Sequence, residues 1–128
     1  MITMTKIIWW KLENEKVKEH INFWKALYNS HLTLEEVIES YSLENILDHH
    51  TYLLSYGQKK LLSFVRLNLI NSLVWLLDEP LSGLDINRKK LILKKIENHS
   101  KKGGATVMTT HDEFYLKSKT PFIEKKID

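Results

Sequence analysis

The chain has 128 residues, enough for one modest hydrophobic core, and its 43% hydrophobic and 27% charged residues exclude a disordered or collagen-like polymer. Cysteine is absent, which excludes disulfides, thiolate zinc sites, iron–sulfur clusters and cysteine nucleophiles and leaves oxygen and nitrogen to carry any chemistry. The formal charge of +3 comes from lysines spread along the chain, weak grounds for a nucleic-acid partner, and none is expected.

In chain order, Ile7 to Trp10 is too short an apolar run for a secretion signal. Val17, Ile21, Trp24, Ala26, Leu27 and Tyr28 recur at helical spacing and predict an amphipathic helix over 14–29. Thr33 and Glu36 form a capping box for a second helix to about Ser40, and a third, short one fits Leu43 to Asp48. Ser55 caps a helix running to about Ser72. Leu73 to Leu77 is continuously apolar, as a strand covered on both faces would be. A helix over Ile86 to Lys101 stops at Gly103-Gly104, Ala105 to Thr110 reads as a second buried strand, and Thr110-His111-Asp112 opens another helix. The stretch Leu61 to Leu77 is interrupted by Arg66, Asn68 and Asn71 and falls short of the roughly 20 residues of a membrane helix. Helix, strand, helix, strand predicts an α/β fold with a parallel sheet.

Two places in this order suit chemistry. Asp78 and Glu79 follow the first strand directly, at the carboxyl edge where open α/β sheets bind ligands. Asp78 there could hold Mg²⁺, through water, and Glu79 could accept a proton from an attacking water; Pro80 biases Glu79 toward extended backbone. Taken alone, an ordinary Asp-Glu-Pro turn explains the same residues. Upstream, Ser55 opens a helix whose free N–H groups and dipole favour a phosphate, and Gly57 lets backbone approach closely. An ordinary N-cap followed by a glycine is the plainer reading of that segment.

The two segments together are more specific. Leu54-Ser55-Tyr56-Gly57-Gln58 resembles the LSGGQ signature of ABC-type ATPases, and Leu73 to Asp78 with Glu79 resembles their Walker B strand and catalytic glutamate. Ser82-Gly83-Leu84-Asp85 is similar to the D-loop, and Met108-Thr109-Thr110-His111 to the strand that ends in the switch histidine. The resemblance implies an ABC ATPase fold, a P-loop NTPase variant, with a helical part over 1–54 that keeps a remnant of the strand before it. The C-terminal part of the ATPase core follows over 55–128. It implies ATP and Mg²⁺ as ligands, Glu79 and His111 as catalytic residues, Ser55, Gly57, Gln58 and Asp85 as nucleotide-binding residues, and Asp78 as the Mg²⁺ residue. Glu19-His20-Ile21-Asn22-Phe23-Trp24 further resembles the E-N-L-x-F-W helix opening of the haem-exporter branch that serves cytochrome c maturation.

The departures matter as much. Gly57, Gly83, Gly103 and Gly104 offer no G-x-x-x-x-G-K-[ST] spacing, so the sequence holds no phosphate loop. Gln58 is the only glutamine, which leaves no Q-loop residue, and Tyr56 is bulkier than the family's usual residue at that place. Without a phosphate-loop lysine most charge stabilisation of phosphoryl transfer is lacking, so hydrolysis is expected only with a partner: a second ATPase subunit or a separately encoded N-terminal half. A truncated frame, or a non-hydrolytic regulatory or assembly subunit, are the alternatives. Integral membrane transporter subunits are the other expected partners. For a member of the haem-exporter branch, a lysine-rich, cysteine-free sequence suits a mitochondrial genome, so the resemblance implies the matrix face of a mitochondrial inner membrane, and otherwise the cytoplasmic face of a bacterial inner membrane. The six histidines lack H-E-x-x-H spacing, the four tryptophans read as core or interface, and the pairs Lys59-Lys60, Lys89-Lys90, Lys94-Lys95 and Lys101-Lys102 read mostly as solvated helix faces.

Overall fold

The computed structural model describes residues 2–4 and 14–116; Trp9 and Trp10 and the expected tail of the C-terminal part lie outside them. In order come β1 (Ile2–Met4), α1 (Val17–Leu27), α2 (Leu34–Tyr41), 3-10 turns at Glu44–Ile46 and Thr51–Leu53, α3 (Tyr56–Ile70), β2 (Val74–Asp78), α4 (Ile86–Lys101), β3 (Ala105–Thr109) and α5 (Glu113–Leu116). The strands form one parallel sheet in the order β1-β2-β3, as the helix–strand alternation predicts.

Helix ends follow the capping chemistry. Thr33 accepts from the Glu36 amide while the Glu36 carboxylate accepts from the Thr33 amide, and α2 starts there. Asn71 ends α3 in the left-handed conformation, φ 51°, short of Ser72. Gly103, φ 89°, turns the chain out of α4, and the Gly103 and Gly104 amides donate to Ser100 and His99 carbonyls, closing the helix as the glycine pair predicts. Gly104 also gives room to His99, since a Cβ there would collide with the imidazole ring that stacks on Trp75 at 3.9 Å between centroids. The third expected helix is only the 3-10 turn Glu44–Ile46.

A single apolar cluster runs from Val17 and Ile21 through Leu61, Phe64, Val65 and Trp75 to Ile92 and Ile96, so α3 is shared by the helical part and the sheet. Fully burying each such side chain contributes roughly 1.5–3 kcal/mol. Trp75 and Leu77 occupy the covered face of β2. The other face departs from expectation: Val74 and Leu76 are only half-buried and Val107 of β3 is 63% exposed. Register explains why these residues share that face, since Val74 pairs with Ala105 and Leu76 with Val107. Both strands read as doubly buried in the sequence; in the structure their second face is incompletely covered by described elements.

On α1, His20 Nε2 accepts from Trp24 Nε1 at 3.1 Å, Trp24 stacks on Tyr28, and the Arg66 guanidinium lies 3.9 Å over the Trp24 ring. Burial first, and Arg66 second, push the His20 imidazole down to about 4. The unfolded chain takes up a proton near pH 6.5 that the folded chain refuses until about 4, so stability is lost as pH falls through that window. Chemical denaturation at pH 7 and 4.5 should show His20 accounting for about 2–3 kcal/mol of the difference. His20→Gln should remove that share of the slope; an unchanged slope would contradict a buried neutral imidazole.

Candidate functional site

The amino end of α3 is built by a reciprocal cap. Ser55 Oγ accepts from the Gln58 amide at 3.2 Å and Gln58 Oε1 accepts from the Ser55 amide at 2.9 Å, an S-x-x-Q capping box. Ser55 is exposed, and its hydroxyl can still donate. Gly57 is buried, and its missing side chain serves a different purpose from the expected one. A Cβ there would press on Arg88 Cδ at 3.3 Å and Leu84 Cδ2 at 3.5 Å, so the glycine lets α3 close on the start of α4. Tyr56 lies across Gly83: a Cβ on Gly83 would stand 2.8 Å from the Tyr56 ring, and Gly83 itself has φ +72°. The bulk of Tyr56 is thus accommodated by glycine at 83.

The second part forms where β2 and β3 end level with each other. Asp78 pairs in register with Thr109, and Thr109 Oγ1 donates to Asp78 Oδ1 at 2.7 Å. The Glu79 amide donates to both the carbonyl and the hydroxyl of Thr109, each at 3.2 Å. The Glu79 carboxylate reaches the next segment, with Oε2 3.4 Å from the His111 amide and Oε1 3.6 Å from His111 Nε2. The imidazole of His111 is 98% exposed, so it is free to meet a ligand.

Glu79 corrects the expectation drawn from Pro80. Instead of extended backbone it has φ +46°, left-handed, which a residue before proline strongly disfavours. Ties at both its N–H and its C=O override the local bias, the first to Thr109 and the second to Lys60. Lys60 corrects another expectation: it is 4% exposed and no part of a solvated face.

Asp85 caps α4. Its Oδ1 accepts from the Arg88 amide at 3.0 Å and its Oδ2 pairs with Arg88 Nη1. These bonds, that to the Arg88 amide first, hold the Asp85 carboxyl below the ordinary carboxylate range. Asp112 accepts from Lys89 Nζ at 2.6 Å, fixing the segment after His111 to α4.

Asp78, Glu79 and His111 therefore meet at one sheet edge, joined by Thr109. Ser55, Gly57 and Gln58 form the adjoining helix end, in contact with Gly83–Arg88 through Tyr56 and Gly57. None of these residues lines the cavity of about 300 Å³ among α2, α3 and α4, which has Trp75 and Lys95 in its wall. Thr109 stands inside the Met108–His111 stretch but is assigned no role there, and Lys60 lies outside every quoted motif. The available signals were a hydroxyl level with Asp78 and a lysine on the buried Gly57–Leu61–Phe64 stripe of α3. No cluster of three or more His, Asp or Glu ligands exists among the described residues. The exposed Asp78 nevertheless fits Mg²⁺, which is commonly held by one or two carboxylates together with substrate phosphates and water.

A family model described as ABC transporter matches residues 5–82. The cytochrome c biogenesis ATP-binding export protein CcmA of Legionella pneumophila is 38% identical over 96 residues, covering 71% of this chain and 48% of that protein. Its counterpart in Rickettsia bellii is 34% identical over 102 residues, covering 80% and 52%. The chain thus spans about half the length of the curated relatives it matches. A solved ATP-binding subunit of an ABC transporter superposes with a TM-score of 0.70 at 20% identity, over 86% of this chain and 48% of that one, which shows the fold.

The contact of Tyr56 with Gly83 gives a direct test. Gly83→Ala should destabilise the chain by about 1–3 kcal/mol through its positive φ and the blocked ring. Adding Tyr56→Ala should recover the steric part only. Thermal melts of the two variants check this; a Gly83→Ala melt equal to wild type would contradict the packing.

Proposed function

The chain belongs to the ABC transporter family, and from that premise we propose that it is the C-terminal part of an ATP-binding and ATP-hydrolysing subunit of a haem exporter for cytochrome c maturation. The carrying observation is the convergence of Asp78, Glu79, Thr109 and His111 at the carboxyl edge of a parallel sheet, beside a capped helix end with an exposed serine. The haem-export assignment rests on the relatives' names, and those relatives match over half their length.

In this reading Glu79 accepts the proton of the attacking water, with its carboxylate aimed by the His111 amide and faced by the His111 ring. Thr109 fixes one oxygen of Asp78 and leaves the carboxylate to hold Mg²⁺ through water, where the ion would neutralise charge developing on the phosphates. Ser55 and the α3 amides, with Gly57 and Gln58 shaping that end, supply donors to a phosphate, and Asp85 borders the same surface. In this reading the phosphate loop lies on a segment outside these 128 residues, such as a second ATPase subunit. The sheet face that described elements leave incompletely covered, with Val107 at 63% exposure, supports a complementing segment of that kind.

Integral membrane transporter subunits complete the assembly, placed at the matrix face of a mitochondrial inner membrane or the cytoplasmic face of a bacterial one. No described helix is long and apolar enough to cross a membrane. A second reading, a non-hydrolytic regulatory or assembly subunit, is favoured by one observation: the Asp85 carboxylate is already engaged by Arg88 of its own helix.

Turnover of the chain co-assembled with a phosphate-loop segment separates the two. Glu79→Gln should lower kcat by about 10²–10⁴-fold while MgATP still binds. Undiminished activity would remove Glu79 as the base, and absent wild-type turnover would favour the second reading.

A further inference from the structure

Lys60 is an unusual residue for the interior. It sits one turn into α3, on the stripe that Gly57, Leu61 and Phe64 bury, and is 4% exposed. No carboxylate lies within salt-bridge distance of its Nζ among the described residues. An ammonium has three N–H donors, and here three acceptors meet it: the Glu79 carbonyl at 2.7 Å, the Ser82 carbonyl at 2.9 Å and Ser82 Oγ at 3.4 Å. The Tyr56 ring lies 5.4 Å from the same nitrogen, and that ring also covers Gly83. All these partners belong to the turn between β2 and α4 or to the first turn of α3. A buried charged donor without a carboxylate is costly unless its donors are filled, so this geometry is strongly specified.

The turn it holds is the strained one. Glu79 has φ +46° before a proline, a backbone state that persists only where its surroundings over-determine it. Its N–H is held by Thr109 and its C=O by Lys60, so the peptide is gripped from both sides. We propose that Lys60 is a positioning residue that clamps Glu79 in the left-handed conformation and mechanically joins the Ser55 end of α3 to the Asp78–Glu79 turn. A displacement of the helix end is then transmitted to the carboxylate of Glu79 through the lysine. The catalytic meaning of the clamp rests on the reading of Glu79 as the base, whereas the clamp itself is tested without turnover.

Amide hydrogen exchange in the full chain, read residue by residue by NMR, reports on the clamp. The Ser82 and Leu84 amides close the turn onto the Glu79 and Leu81 carbonyls. In Lys60→Met these two should exchange at least tenfold faster, with the α3 and β2 ladder amides within about threefold of wild type. Lys60→Arg, which keeps several donors, should restore most of the protection. Glu79→Gly, which relieves the positive φ, should restore it in the Lys60→Met background. Should Lys60→Met fail to fold, recovery of the fold by the added Glu79→Gly supports the clamp, and its failure overturns it. Unchanged exchange at Ser82 and Leu84, or an equal loss throughout α3 and β2, also overturns it. In the assembled complex the same Lys60→Met change should lower kcat at least tenfold with KM for ATP within about twofold. If the exchange result holds and turnover does not respond, the reading of Glu79 fails and the clamp stands.

Discussion

The parallel register of β2 and β3 is the constraint on which the site depends. Pairing Asp78 with Thr109 brings the two strands to an end at the same level, so residues 31 positions apart share one edge. The Thr109 hydroxyl then serves both neighbours, donating to Asp78 and accepting from the Glu79 amide. A slip of one residue would turn Thr109 to the opposite face and leave Asp78 and Glu79 without their common partner.

A second set of contacts brings the amino end of α3 to that edge. Gly57 admits Arg88 and Leu84, Gly83 admits Tyr56, and Lys60 reaches the Glu79 and Ser82 carbonyls. Small residues and one buried lysine therefore do the joining, and the apolar core beneath them holds the elements in place. The two groups of polar residues are parts of a single surface because the helix and the turn cannot move independently without breaking these contacts.

Much of this was legible along the chain. Ser55 with Gln58, Thr33 with Glu36, and Gly103-Gly104 are local signals whose partners lie within a few residues, and each appears where its chemistry predicts. The resemblance to ABC ATPases gave the fold and the family, both supported by the match over residues 5–82. What failed was set by distant partners. Pro80 speaks for extended backbone at Glu79, but Thr109 and Lys60, 30 and 19 positions away, impose the opposite. Lys60 looks like half of a surface pair until the turn that fills its donors is folded against it. The apolar runs of β2 and β3 specify two covered faces, but among described elements only Trp75 and Leu77 of β2 are buried, with Thr106 and Met108 beside them half-buried and Val107 on the other face exposed.

The central claim is that a nucleotide is gripped jointly, by the edge built here and by a phosphate loop carried on another segment. Equilibrium titration of a fluorescent ATP analogue with Mg²⁺ tests it most directly, first on the chain alone and then on its assembly with a phosphate-loop segment. Saturable binding is expected only in the assembly, with the nucleotide tightening the association of the two segments. Association of the two segments that is wholly indifferent to nucleotide would contradict it.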